Sequence, residues 1–247
     1  MQPLVSIIMP AYNSSEFICE SIDSVLSQTY MNWELIITDD FSTDGTQNII
    51  ENYARKDNRI KFHFQDANLG AGAARNKSIR KSNGRFIAFL DSDDLWLQNK
   101  LEVQVKFMVD NDVALSYSGY KKFSRQGVGG IVKPQQTVNY KQLLCSNVIG
   151  CLTAMYDSHL MGKRYMPLIR KRQDMGLWLD ILKDIDCAKA IPEVLAMYRV
   201  DSGMTQNKFH VLKYQWRFYR DVVGLSRVKS LMFFVIYSYK GFIKSQL

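Results

Sequence analysis

The sequence predicts an α/β fold: a Rossmann-like nucleotide-binding half with a mostly parallel sheet, then a helical, basic and aromatic tail. Two observations predict the sheet. Largely apolar strand-like runs alternate with helix-like stretches from Val5 to Leu90, as in parallel sheets whose strands are buried on both faces by crossover helices. Polar clusters follow those runs, where open α/β sheets bind their ligands. A third observation predicts the tail, in which aromatic and basic residues interleave from Phe209 to Lys244.

The elements follow in order. Val5 to Met9 reads as a strand ending at Pro10. Asn13-Ser14-Ser15-Glu16 reads as a helix start, with capping side chains and an early acid. Ile18, Ile22, Val25 and Leu26 then fall on one helical face. Trp33 to Thr38 is a second strand, Ser42-Thr43-Asp44 opens a second helix, and Ile60 to Phe64 is a third strand. Ala71 to Ser82 is a helix and Phe86 to Leu90 a fourth strand. Beyond these, Lys121 to Pro134 reads as a loop or hairpin and Val148 to Tyr156 as a strand. Asp174 to Lys183 is a helix, and Ala190 to Val200 a short strand and loop. Residues 1–206 are expected to form one domain with two halves, 1–100 and 101–206, and residues 207–247 a tail.

Composition narrows the function. Of a formal charge of +8, the segment after Asn207 carries +7, from eight basic side chains against the single acid Asp221. Such a segment suits anionic lipid; nucleic acid is not expected as a partner, because no nucleic-acid motif accompanies the charge. Cys19, Cys145, Cys151 and Cys187 form no C-x-x-C pair and there are three His, which argues against structural zinc and a disulfide framework. The chain runs directly into its first strand, so no secretory leader is expected. No stretch reaches the roughly 18–20 apolar residues of a membrane span. The tail therefore reads in two ways, as an interfacial membrane helix or as an aromatic helix packed on the domain or on a partner.

The chemistry concentrates at strand ends. Asp91-Ser92-Asp93-Asp94 sets three carboxylates within four residues. They repel in a low-dielectric crevice, and a hard divalent cation such as Mg²⁺ or Mn²⁺ relieves that repulsion through oxygen ligands. An acidic helix cap is the plainer reading of the same run. Tyr12-Asn13 and Asp39-Asp40 follow two other strands and can reach the same crevice.

Val5 to Asn13, Asp39 to Thr46, Asn68 to Asn76 and Asp91 to Asp94 together resemble the family 2 glycosyltransferases of GT-A fold, in particular the small non-processive transferases of bacterial surface polysaccharide synthesis. The resemblance is specific over about the first 100 residues, weaker near Asp174 and Tyr198-Arg199, and slight beyond residue 207. It implies that Pro10, Ala11 and Tyr12 pack on the nucleobase and that Asp40 accepts from uracil N3–H. It places Arg75 near base and phosphates, Asp91 with Ser92 at ribose or donor hydroxyls, and Asp93 on a Mn²⁺ or Mg²⁺ ion. Asp174 would be the general base, with Gln173 where many relatives carry Glu; helix capping is its other reading, and the two are compatible. Arg199, with Ser202, would contact phosphate, although Asp201 stands where relatives often have His; a surface-loop arginine is the alternative. The implied reaction is inverting transfer of one hexose from a UDP-sugar to a lipid-diphosphate-linked saccharide, by a protein at the cytoplasmic face of the membrane. A non-catalytic module that binds nucleotide-sugar or a partner on the same fold is the competing function. Donor sugar, acceptor linkage and oligomeric state are left open.

Overall fold

The computed structural model describes residues 2–201 and 208–244, so Ser202 and its neighbours to 207 lie outside the described residues. The elements run β1 (Val5–Ala11), α1 (Ile18–Leu26), β2 (Trp33–Asp39), α2 (Thr46–Lys56), β3 (Ile60–Phe64), α3 (Ala71–Lys81), β4 (Phe86–Phe89), β5 (Leu95–Trp96) and α4 (Lys100–Asp110). Then follow β6 (Leu115–Ser124), β7 (Gly127–Val132), β8 (Thr137–Val138), α5 (Tyr140–Cys145), β9 (Met155–Asp157) and α6 (Ser158–Met161). The chain continues with α7 (Gln173–Ile181), β10 (Ala188–Arg199), α8 (Lys208–Arg217), a π-helical turn Phe218–Val222 and α9 (Arg227–Lys244).

One sheet runs through the molecule in the order β3-β2-β1-β4-β9-β6-β10-β5, with β7 on β6 and β8 on β10. β3, β2, β1 and β4 are mutually parallel, and β10 runs parallel to β6. β9 is antiparallel to both β4 and β6, which leaves the sheet mostly parallel. All seven residues of β1 and of β2 are buried, which is why apolar residues run together without alternation at Ile7 to Met9 and Leu35 to Ile37. Alternate residues feed two cores. Val5, Ile7 and Met9 join Ile18, Ile22 and Val25 of α1 and Leu101 of α4. Ile8, Ile87 and Phe89 face Ile79 of α3, Leu143 of α5, Trp178 of α7, and Phe218 and Tyr219. The stretch after residue 207, expected as a separate tail, thus contributes to the second core.

Several boundaries differ from expectation. The helix after β1 starts at Ile18 with no side-chain cap, and the backbone of the polar residues before it bonds to the loop after β2. Asn13 N–H donates to Ser42 Oγ at 2.8 Å, Ser14 N–H to Thr46 Oγ1 at 2.9 Å and Ser15 N–H to Asp44 Oδ2 at 3.0 Å. These bonds lace the loop after β1 to the loop after β2. Burial alone would raise the Asp44 carboxyl, but bonds from Thr46 and Ser15 hold it down at about 2. The strand expected over Val148 to Tyr156 is a single 3₁₀ turn, Cys151–Thr153, before the short β9; Ile149, Leu152 and Ala154 are buried all the same, on irregular backbone. Of Ala190 to Val200, expected as a short strand and loop, Ala190 to Arg199 instead belong to the twelve-residue β10 (Ala188–Arg199), which absorbs Pro192 through register shifts against β6 between Ile191 and Ala196. The Lys121 to Pro134 region forms the β6–β7 hairpin.

Candidate active site

β1 lies between β2 and β4, so the crossovers leave it in opposite directions and a crevice opens at the carboxyl ends of β1 and β4. Pro10 and Ala11 are buried at the end of β1, while Tyr12 is 51% exposed at the rim. Asn13 and Phe41, just past β1 and β2, both have positive φ, at 46° and 71°. Non-glycine residues pay a steric cost in that region and collect at functional turns.

The two aspartates after β2 divide the work. Asp39 shapes its own turn, accepting from Ser42 N at 2.9 Å, from the Ser42 hydroxyl and from Gln47 Nε2 at 2.7 Å. Asp40 reaches across to the loop before α3, accepting from Leu69 N at 2.8 Å, Gly70 N at 2.7 Å and Gln65 Nε2. Three of the roughly four acceptor positions of a carboxylate are thereby used. Gly70 has φ 89°, a conformation that favours glycine.

Asp91 to Asp94 form the turn after β4, closed by Asp94 N–H to the Asp91 carbonyl at 3.1 Å. The members have different surroundings. Asp91 pairs with the buried Arg75 at 2.5 Å, Ser92 is buried and Asp93 is half-buried. Asp94 is buried and accepts from Arg199 N at 2.8 Å. Burial, reinforced by Asp91 and Asp93, pushes the Asp94 carboxyl well above the ordinary range. Arg75 also donates to Gln173 Oε1 at 3.0 Å, and its buried Nε has no protein partner. It therefore joins the loop after β4 to the start of α7.

Arg199 is 4% exposed. Its Nε donates to the Asp93 carbonyl at 2.8 Å and its NH2 to Glu20 at 2.7 Å, and the guanidinium stands 4.4 Å from the ring centres of both Phe17 and Phe123. Within the protein, Arg199 is engaged by the loop, by Glu20 and by two rings. A charge sandwiched between two rings and bonded to the loop backbone braces the loop from behind.

Across the crevice, Gln173 and Asp174 open α7. Gln173 accepts from Arg75 and donates to the Ile169 carbonyl at 2.5 Å, two roles that a glutamate cannot combine. A Cβ on Gly72 would meet the Gln173 side chain at 3.0 Å, so α3 and α7 approach here closely. Asp174 accepts from Asn147 Nδ2 at 2.9 Å. It lies in the first turn of α7, whose N-cap is Arg172 with no side-chain cap bond. Cys151 lies against the same crevice: burial pushes its thiol well up against the pull of Arg75, with Asp91, Asp174 and Asp94 adding to the rise. Among the described residues no cluster of three His, Cys, Asp or Glu suited to a metal ion occurs.

Sequence reasoning missed Gln65, Glu20, Phe17, Phe123 and Asn147. Each acts through a contact between distant segments and has no local pattern. The polar glutamine after β3 was the one available signal, since it stands at a strand end like the recognised groups.

An acidic turn at the switch point of a mostly parallel sheet, faced by a second carboxylate across a crevice, defines a transferase of the GT-A class. Comparison with known proteins makes the assignment specific: residues 6–165 match the family described as Glycosyl transferase family 2, and the chain belongs to that family and is a glycosyltransferase. It is 40% identical to the putative teichuronic acid biosynthesis glycosyltransferase TuaG of Bacillus subtilis (strain 168), over 100% of this chain and 98% of the relative. It is also 40% identical to the UDP-Glc:alpha-D-GlcNAc-diphosphoundecaprenol beta-1,3-glucosyltransferase WfgD of Escherichia coli, over 96% of this chain and 94% of that one. The fold is shared with S. aureus TarS 1-349 in complex with UDP-GlcNAc, at a TM-score of 0.71 and 20% identity, over 94% of this chain and 71% of that structure.

Proposed function

We propose that the protein transfers a single hexose, with inversion, from a UDP-sugar to a lipid-diphosphate-linked saccharide during surface polysaccharide assembly at the cytoplasmic face of a membrane. The observation that carries the reading is the bridge made by Arg75 between Asp91 and Gln173, which sets donor loop and candidate base on facing walls of one crevice. The name of the E. coli relative, with its UDP-glucose donor and diphosphoundecaprenol acceptor, supports the substrate classes.

In this reading Pro10, Ala11 and Tyr12 pack on uracil, and Asp40 reads N3–H with its remaining acceptor position. Asp91 and Ser92 hold ribose or donor hydroxyls. The unpartnered Nε of Arg75 donates to a phosphate oxygen. The donor set would fit one hard cation held by Asp93, because a carboxylate on the turn after β4 offers the oxygen ligands that Mg²⁺ and Mn²⁺ prefer. A Mn²⁺ or Mg²⁺ ion so held supplies charge neutralisation for the leaving diphosphate. Arg199 keeps the Asp93 backbone in place. Asp174, oriented by Asn147, takes the proton of the acceptor hydroxyl as that oxygen attacks the anomeric carbon from the face opposite UDP.

Membrane contact belongs to the outer face of α9. Val228, Leu231, Met232, Val235 and Tyr239 are exposed at helical spacing, with Arg227, Lys229 and Lys240 among them. No helix among the described residues is long and apolar enough to cross a membrane, so this stripe suits a helix lying on an anionic surface. Co-sedimentation with anionic vesicles should fall in Leu231→Ser/Val235→Ser; undiminished binding would assign the stripe elsewhere.

Calorimetric titration of UDP, GDP and dTDP, with and without Mn²⁺, tests the donor half: binding of UDP alone, dependent on metal, is expected. Asp174→Asn tests the base. Turnover should fall by about 10²–10⁴ with UDP affinity intact, and unchanged turnover removes Asp174 from the mechanism.

A further inference from the structure

α9 has an inner face as well as an outer one. Phe233 and Phe234 pack on Tyr219 and Trp216, with ring centres 6.3 and 5.8 Å apart. One turn further along that face, the ring of Tyr237 lies 5.1 Å from the Arg172 guanidinium. Arg172 is the N-cap of α7 and has φ 69°, a backbone conformation that costs an arginine roughly 1 kcal/mol or more. Nothing in capping chemistry calls for arginine there, since glycine fits better. The strained backbone holds a cation two residues from Asp174. Asn147 completes the group. Its Nδ2 must face the Asp174 carboxylate, which only accepts, so Oδ1 points elsewhere, and that atom is buried without a protein partner.

We propose that Asn147, Arg172 and Tyr237 form the acceptor seat, with the Tyr237 ring against the acceptor sugar and Arg172 on the phosphate that joins this sugar to its lipid. This rests on the reading of Asp174 as base and of the acceptor as lipid-diphosphate-linked. The attacking hydroxyl and the anomeric phosphate sit on one sugar ring, so base and phosphate-binding cation must stand about one sugar apart. Arg172 and Asp174 open one helix, and both act electrostatically on the Tyr237 phenol, which places the two charges around one ring. The empty acceptor position on Asn147 suits a donating sugar hydroxyl. Burial keeps the Tyr237 phenol above its ordinary value, Arg172 pulling against this and Asp174 adding to it, so the phenol stays neutral and able to donate. The same helix that offers its outer stripe to lipid thus offers its inner face to the sugar nearest that lipid.

The test uses the full chain and a KM split. Acceptors are a synthetic alkyl-diphosphate α-GlcNAc and the matching diphosphate-free alkyl glycoside. Arg172→Gly, which relieves the positive φ and keeps the fold, should raise KM about tenfold for the diphosphate acceptor only, with the KM for UDP-glucose unchanged. Tyr237→Ala should raise KM for both acceptors, and Tyr237→Phe should recover most of the loss. Unchanged acceptor KM in both Arg172→Gly and Tyr237→Ala overturns the seat. A wild type that turns over neither acceptor counts against the substrate reading instead, and binding then decides the seat. Titration of a short alkyl diphosphate into UDP-saturated protein should weaken in Arg172→Gly, and equal affinity overturns the proposal.

Discussion

The two edges of the parallel strands each bury an acidic side chain and treat it in opposite ways. At the amino-terminal edge, Glu34 of β2 accepts from Ser6 Oγ at 2.6 Å, Asn83 N at 2.6 Å and Lys61 Nζ at 2.6 Å. Burial would raise its carboxyl, but bonds from Lys61, Ser6 and Asn83 outweigh this and lower it. At the carboxyl-terminal edge, Asp94 has one backbone bond and two acidic neighbours, and is pushed up. The difference teaches where the fold keeps its reserves. A satisfied buried carboxylate stabilises, whereas a crowded one costs stability until a cation or substrate arrives. Glu34 serves the fold, while Asp94 sits in the crowded acidic turn of the candidate site.

Substitutions can break this division. Asp93→Asn should have the largest effect, lowering turnover by at least about 100-fold, consistent with several kcal/mol of lost charge stabilisation. The melting temperature without ligand should not fall, and its rise on adding Mn²⁺ and UDP should vanish; calorimetric scans and initial rates read both. Gly84→Ala should do the reverse. Its Cβ would stand 2.6 Å from Ser6 N and 2.8 Å from the Leu4 carbonyl, an overpacking cost of about 1–3 kcal/mol. Denaturant midpoint should drop while UDP affinity of the folded fraction holds. Glu34→Gln comes next, since an amide N–H would face Lys61. A lowered carboxyl adds stability above its unfolded pKa and loses it as pH falls through the folded value. The wild type should therefore lose this contribution on acidification below the ordinary carboxylate range. The variant should have lost it already at neutral pH, by about 1–3 kcal/mol, as urea titrations at several pH values would record. The smallest effect is expected from Gln173→Glu. It gives up the bond to the Ile169 carbonyl and draws Arg75 from Asp91, so a few-fold rise in the KM for the UDP-sugar should appear without loss of melting temperature.

The same two edges explain what was legible in the sequence. β1, β2 and β4 showed because burial on both faces forces largely apolar runs, and the acidic turn showed because it directly follows β4. Glu34, by contrast, is a charged residue in a buried strand, and nothing local announces the Ser6 and Asn83 partners that make it tolerable. The brace on Arg199 was equally hidden, since Phe17, Glu20 and Phe123 lie far from it along the chain. Arg172 closes an Arg-Lys-Arg run, and nothing local sets it apart from its neighbours. Its backbone conformation and the ring of Tyr237 are facts of tertiary packing. Local pattern carries the scaffold and the charged loop, while the supports behind that loop depend on which distant segments meet.

The brace also dates the site's completion during synthesis. Asp94 accepts from the backbone of Arg199, 105 residues later, and the Asp93 carbonyl waits for the same residue's side chain. Contacts of such separation form late, after long loops have closed. A ribosome that has released β1 to β4 has exposed a nearly complete nucleotide sheet with an unbraced acidic turn. The nascent chain therefore has no braced acidic turn until β10 emerges, and a product truncated before Arg199 would retain the sheet yet lack the support of that turn.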